Sequence, residues 1–94
     1  MVKHIVFTKF KEPERAVPAA RRMLSALPKE IPEILSMETG RDFLGSSRSW
    51  DMALVATFDS REALAVYANH PAHQAVKAYI HAERTDSATV DYEF

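Results

Sequence analysis

The stretch Val2–Phe10 constrains the fold more than any other part of the chain. Val2, Ile5, Val6, Phe7 and Phe10 are β-branched or aromatic, so the run reads as a strand. These residues fall on both sides of the two-residue alternation, which implies a sheet covered on both faces. With 94 residues the chain has room for one core, and residues 1–94 read as a single domain. A domain of this size buries only about 60–65% of the surface its unfolded form exposes, so a partner that covers an apolar face adds much.

The remaining elements follow from periodicity. Val17, Ala20, Met23, Leu24 and Leu27 recur at helical spacing between Pro13 and Leu27. Pro18 makes the first turn irregular or marks where the regular helix begins. Pro28 and Pro32 punctuate a connector. Ile34 to about Phe43 reads as a second strand, with Gly40 as a bulge or a close backbone approach. Gly45 to Ser49 forms a hairpin-type loop, and Trp50 to Phe58 a third strand. Asp59 to Glu62 opens a helix that runs to about Asn69. Pro71 to about Ala82 is a second helical piece, with Val76, Tyr79 and Ile80 on one side. Thr85 to Tyr92 closes the chain as a fourth strand.

The order β-α-β-β-α-β, its last helix broken, is an α+β ferredoxin-like arrangement: a four-stranded antiparallel sheet with helices on one face. If helices cover one face, the other is expected to carry Val6, Phe10, Met52, Leu54 and Ala56. Such a face needs a cover, and a second copy of the sheet is the simplest one. Two sheets face to face form a dimeric α/β barrel.

Composition removes several functional classes. The 12 basic and 13 acidic residues are spread along the chain and leave a net charge of −1, with no basic stripe for nucleic acid. No window approaches the ~18 apolar residues of a membrane span, and the start lacks the pattern of a signal peptide. The absence of cysteine excludes disulfides and thiolate chemistry, and fits a cytoplasmic protein.

Chemistry concentrates in Tyr67-Ala-Asn-His70-Pro71-Ala72-His73. Proline disfavours helix in the residue before it and suits a helix's first position, so one helix ends near Asn69 and another begins at Pro71. Tyr67 and His73 then meet at a corner. With His73 in the first turn, the helix dipole disfavours its charged form, and a neutral imidazole there can act as a general base. Tyr67 can donate to a developing enolate or hold a carbonyl oxygen. The plainer alternatives are a histidine that fixes the corner through a backbone carbonyl, and a tyrosine packed in the core. His70 reads as a hinge residue and His81 as surface. A metal site at His70 and His73 lacks an acidic ligand beside it.

On the first strand, Ile5 and Phe7 are the better core-facing group, and on the last, Ala88, Val90 and Tyr92. This leaves His4, Val6 and Thr8, with Ser87, Thr89 and Asp91, to line the barrel interior. Asp91 is expected to orient His4, unless both belong to a polar patch of the dimer interface.

Val2-Lys3-His4-Ile5-Val6 with Lys9-Phe10-Lys11, Ala53-Leu54-Val55 with Thr57-Phe58, the Tyr67–His73 segment and the closing Val90-Asp91-Tyr92 together resemble the stress-responsive A/B barrel, or Dabb, family. The resemblance covers essentially the whole chain. It implies a homodimer of ferredoxin-like domains, and many members are known only as stress-responsive proteins. A plant polyketide cyclase of this family works by aldol condensation without cofactor or metal. Its catalytic tyrosine and histidine match Tyr67 and His73, and its pocket histidine matches His4. Its bulky pocket residues fall near Arg84 and on Ser87 and Thr89, which points to a more polar ligand here. The expected site is therefore His73 and Tyr67 as catalytic residues, with His4, Val6, Thr8, Met52, Leu54 and Asp91 around a small carbonyl or aromatic compound. The competing expectation is a non-catalytic stress-response or structural dimer.

Overall fold

A computed structural model describes residues 1–94. Strand β1 (Val2–Phe10) is followed by helix α1 (Pro13–Ser25), the single turn α2 (Leu27–Glu30), strands β2 (Ser36–Arg41) and β3 (Met52–Phe58), helices α3 (Arg61–Asn69) and α4 (Pro71–Glu83), and strand β4 (Arg84–Glu93). The four strands form one antiparallel sheet in the order β2-β3-β1-β4, which is the ferredoxin-like arrangement.

Register fixes which side chains share a face. Across β3, β1 and β4, Leu54 lies beside Val6 and Thr89, Met52 beside Thr8 and Ser87, and Ala56 beside His4 and Asp91. These rows face the helices. Thr8, Met52, Leu54, Ala56 and Phe58 are all buried there. They pack against the stripe of Ala16, Val17, Ala20 and Leu24 that α1 presents at helical spacing.

The other face carries Phe7 between Ala53 and Ala88, Ile5 between Val55 and Val90, and Lys3 between Thr57 and Tyr92. Phe7, Val90 and Tyr92 are exposed. This inverts the expected assignment of faces. Val6, Met52, Leu54 and Ala56, expected on the free face, lie under the helices, while Ile5, Phe7 and Val90, expected in the core, lie on the open one. Apolar residues on both faces left alternation unable to choose. The choice is made by the helices, whose stripes seat on the larger continuous patch of Met52, Leu54, Phe58 and Phe10.

Local details also depart from expectation. Helix α1 runs unbroken through Pro18, whose ring sits on the exposed side. Gly40 makes no bulge, for β2 pairs in an even register through Gly40 and Ala53, and a methyl group on Gly40 would meet no atom within 4 Å. The sheet's irregularity lies instead between Lys9 and Phe10, opposite Asp86 and Arg84. There the Phe10 N–H turns to the Asp51 carboxylate at 2.8 Å, so the backbone donor stays satisfied. The loop from Asp42 to Asp51 is closed by the Asp42 N–H on the Asp51 carbonyl at 2.9 Å, and Gly45 supplies the one positive φ, 67°.

Candidate functional site

The corner between α3 and α4 is built by two caps. Ser60 accepts the Ala63 N–H and starts α3, and the Nδ1 of His70 accepts the Ala72 N–H at 3.1 Å and starts α4. Pro71 takes the first helical position, where it has no hydrogen bond to lose. With its Nδ1 used as an acceptor, His70 is committed to the turn.

Across that turn Tyr67 and His73 stack, with ring centroids 4.0 Å apart and planes 20° apart. His73 Nδ1 lies 3.0 Å from the Tyr67 carbonyl oxygen. A carbonyl only accepts, so Nδ1 carries the proton and Nε2 holds the free lone pair. Burial, with the positive field of Lys77 and of His4 added to it, pushes the His73 pKa down to about 4, against the opposing pull of the Tyr67 carbonyl. The ring is therefore neutral near pH 7.

Tyr67 is 1% exposed, and its hydroxyl has no hydrogen-bond partner in the protein. Burial pushes its pKa up to about 12, which keeps the proton on the oxygen. Phe58 packs on it at 5.2 Å, and His4 meets it edge-on at 6.0 Å. His4 Nδ1 pairs with the Asp91 carboxylate, as the neighbouring positions of β1 and β4 allow. That pairing holds the second imidazole by its Nδ1 and sets the orientation of its ring.

These groups border a cavity of about 260 Å³ between the sheet and helices α3 and α4. Tyr67, His73, His4, Val6, Thr8, Met52 and Leu54 all line it. Asp91 stands behind His4 and reaches the cavity through it. The cavity is not the barrel interior expected from the sequence: it lies within one chain, on the helix side of the sheet, because His4, Thr8 and Thr89 point that way. Lys77 and His81 also line it. Neither belongs to the motif around Pro71; His81 is exposed, as the sequence leads one to expect, and borders the cavity from the surface. The signal lay in the spacing of His73, Lys77 and His81, which share one face of α4. No group of three or more potential metal-ligating side chains gathers anywhere in the structure.

Comparison with known proteins agrees with this fold. A dimeric ferredoxin-like protein of unknown function from Bacteroides fragilis is 30% identical, with a TM-score of 0.90 over 99% of this chain and 95% of that one. A dimeric ferredoxin-like protein of unknown function from Thermobifida fusca is 28% identical, with a TM-score of 0.87 over 99% and 90% of the two chains. A hydroxynitrile lyase from Passiflora edulis shares the fold at 16% identity, with a TM-score of 0.84 over 97% of this chain and 90% of that one. No curated protein matches the chain in sequence. The sequence model of the stress-responsive A/B barrel domain matches residues 2–94. With that match along nearly its whole length, and with the sheet order to accompany it, the chain belongs to the stress-responsive A/B barrel (Dabb) family.

Proposed function

We propose that the cavity binds a small carbonyl or aromatic compound and performs cofactor-independent acid–base chemistry on it, of the lyase or cyclase kind. The observation that carries this reading is the buried Tyr67 hydroxyl, left without a partner beside two imidazoles whose Nδ1 atoms are already engaged. An unpartnered buried hydroxyl costs about 1–3 kcal/mol, and a ligand oxygen would relieve it. A cavity of roughly 150 Å³ already holds benzene, so the 260 Å³ here has room for a substituted ring.

Burial drives the two groups apart in the useful direction. Tyr67 stays protonated and donates to an oxygen that gains negative charge, while His73 stays neutral and accepts a proton at Nε2. A base as weak as His73 suits a proton already activated by a neighbouring carbonyl. His4, held by Asp91, forms a further polar edge of the cavity beside Tyr67. The hydroxynitrile lyase with this fold lends the reading an example of cleavage chemistry on the same scaffold.

The chain is proposed to work as a homodimer, supported by its dimeric relatives and by the apolar open face of its own sheet. A second reading, a non-catalytic stress-response dimer, draws on the same His73–Tyr67 contact as a purely structural corner.

A thermal-shift screen with aromatic, lactone and β-dicarbonyl compounds separates the two. A specific ligand at a hundred times its Kd stabilises the fold by about 2.7 kcal/mol. The response is expected to vanish in Tyr67→Phe and in His73→Gln. A hit that both variants bind as tightly as the wild type would remove these residues from the site.

A further inference from the structure

Resting on the reading of this cavity as a ligand site, we propose that it selects an organic carboxylate: an aromatic or carbonyl acid whose anion pairs with Lys77 and Arg84. The chain carries more acids than bases, yet no Asp or Glu lines the cavity, whereas Lys77, Arg84 and three histidines do. Neither Lys77 nor Arg84 belongs to any of the ion pairs in the structure. The acids flanking Arg84 are engaged elsewhere, Glu83 with Arg15 and Asp86 with the Ser87 N–H. Lys77 uses one donor on the Ala68 carbonyl at 3.1 Å, and Arg84 one on the Ser87 hydroxyl at 2.7 Å. An ammonium has three donors and a guanidinium five, so both keep donors free.

The β4 irregularity aims Arg84. Strand alternation counted back from Asp86 puts residue 84 on the open face. The shift opposite Lys9 and Phe10 reverses that parity, pairs Arg84 with buried Phe10 and turns it into the cavity. A cation at the end of α4 also suits the helix dipole, but that does not account for Lys77 in the middle of the helix.

Lys77, tied to the Ala68 carbonyl, stands beside the Tyr67–His73 corner, and Arg84 marks the far end of the cavity. From His73 to Lys77 is about 6 Å along a helix, and from His73 to Arg84 about 16 Å. A ligand lying between them would present its ring or carbonyl to Tyr67 and His73, with its anion toward Lys77 and Arg84. A carboxylate fits better than a phosphate. Two oxygens match one guanidinium edge, and the C-terminal half of α4 offers no cradle of backbone N–H groups for a third.

Isothermal titration with 4-hydroxybenzoate, 4-hydroxybenzamide and phenyl phosphate tests this. The acid is expected to bind about tenfold tighter than the amide, as a charge-assisted hydrogen bond exceeds a neutral one. Arg84→Gln and Lys77→Gln should each weaken the acid far more than the amide and so remove most of that preference, with circular dichroism to show that the variants are folded. Equal affinities for acid and amide would overturn the inference and leave the ligand cavity standing. Tighter binding of phenyl phosphate would overturn the choice of carboxylate. Absence of binding by all three would overturn it together with the reading on which it rests.

Discussion

Tyr67 keeps a hydroxyl for which the surrounding protein offers no hydrogen bond. Removing it should therefore not harm the fold. Tyr67→Phe is expected to be as stable as the wild type or more so, by up to about 1–2 kcal/mol in urea denaturation, and to lose ligand binding. A loss of stability would mean that the hydroxyl has a structural partner after all. His73 makes a prediction in pH. The unfolded chain takes up this proton near the ordinary value of 6.5, and the folded chain only near 4, so between those values the unfolded state holds more protons. The stabilisation is complete above pH 6.5 and is lost as pH falls toward 4. Discounted for the partial exposure of the ring, it is on the order of 1–2 kcal/mol. The difference in stability between wild type and His73→Gln should shrink or change sign across that window, whereas a constant difference would contradict the lowered pKa. The pairing of Tyr67 with His73 was legible because Pro71 forces a corner, and that of His4 with Asp91 because first and last strands are neighbours in this topology. The place of Lys77 on the cavity was not. Charged and polar residues near Glu83 and Arg84 read as a solvated face until β4 folds back beneath α4.

At the scale of elements, the α3–α4 joint depends on a histidine used as a helix cap. His70→Ala should lower stability by about 1 kcal/mol, and His70→Asn, which also accepts at a cap position, should restore most of it. Equal stability of the two variants would show that the Nδ1 contact contributes nothing. Helix α1 carries Pro18 within its span at the loss of one backbone hydrogen bond. Pro18→Ala is accordingly expected to raise the thermal midpoint, with a gain of about 1–3 kcal/mol. Strands and helices emerged from propensity, spacing and proline placement, near the positions the sequence predicts. Which sheet face the helices cover did not emerge, since Ile5, Phe7 and Val90 are as apolar as Val6, Met52 and Leu54. Nor did the irregularity at Lys9 and Phe10, because no glycine marks it and the bend is absorbed by ordinary residues around Thr85.

For the whole molecule, the open face of the sheet is the surface expected to close the barrel. Val90 is 61% exposed and lies in one row with Ile5 and Val55. Sedimentation should find the wild type dimeric at micromolar concentration and Val90→Glu monomeric, since a charge placed on that row cannot be buried without a partner. A monomeric wild type would contradict the barrel. Because the helices cover one face of the sheet and leave the other open, the strands divide by parity. Even-numbered positions of β1 and β3 and odd-numbered positions of β4 from Ser87 onward lie on the helix side, which holds the cavity, and their neighbours lie on the open face. A mutant library restricted to the cavity-lining positions Val6, Thr8, Ser87 and Thr89 should thus vary ligand preference without touching assembly, and one restricted to the open-face positions the reverse. Inserting one residue into β1 would exchange the two sets and abolish both properties at once.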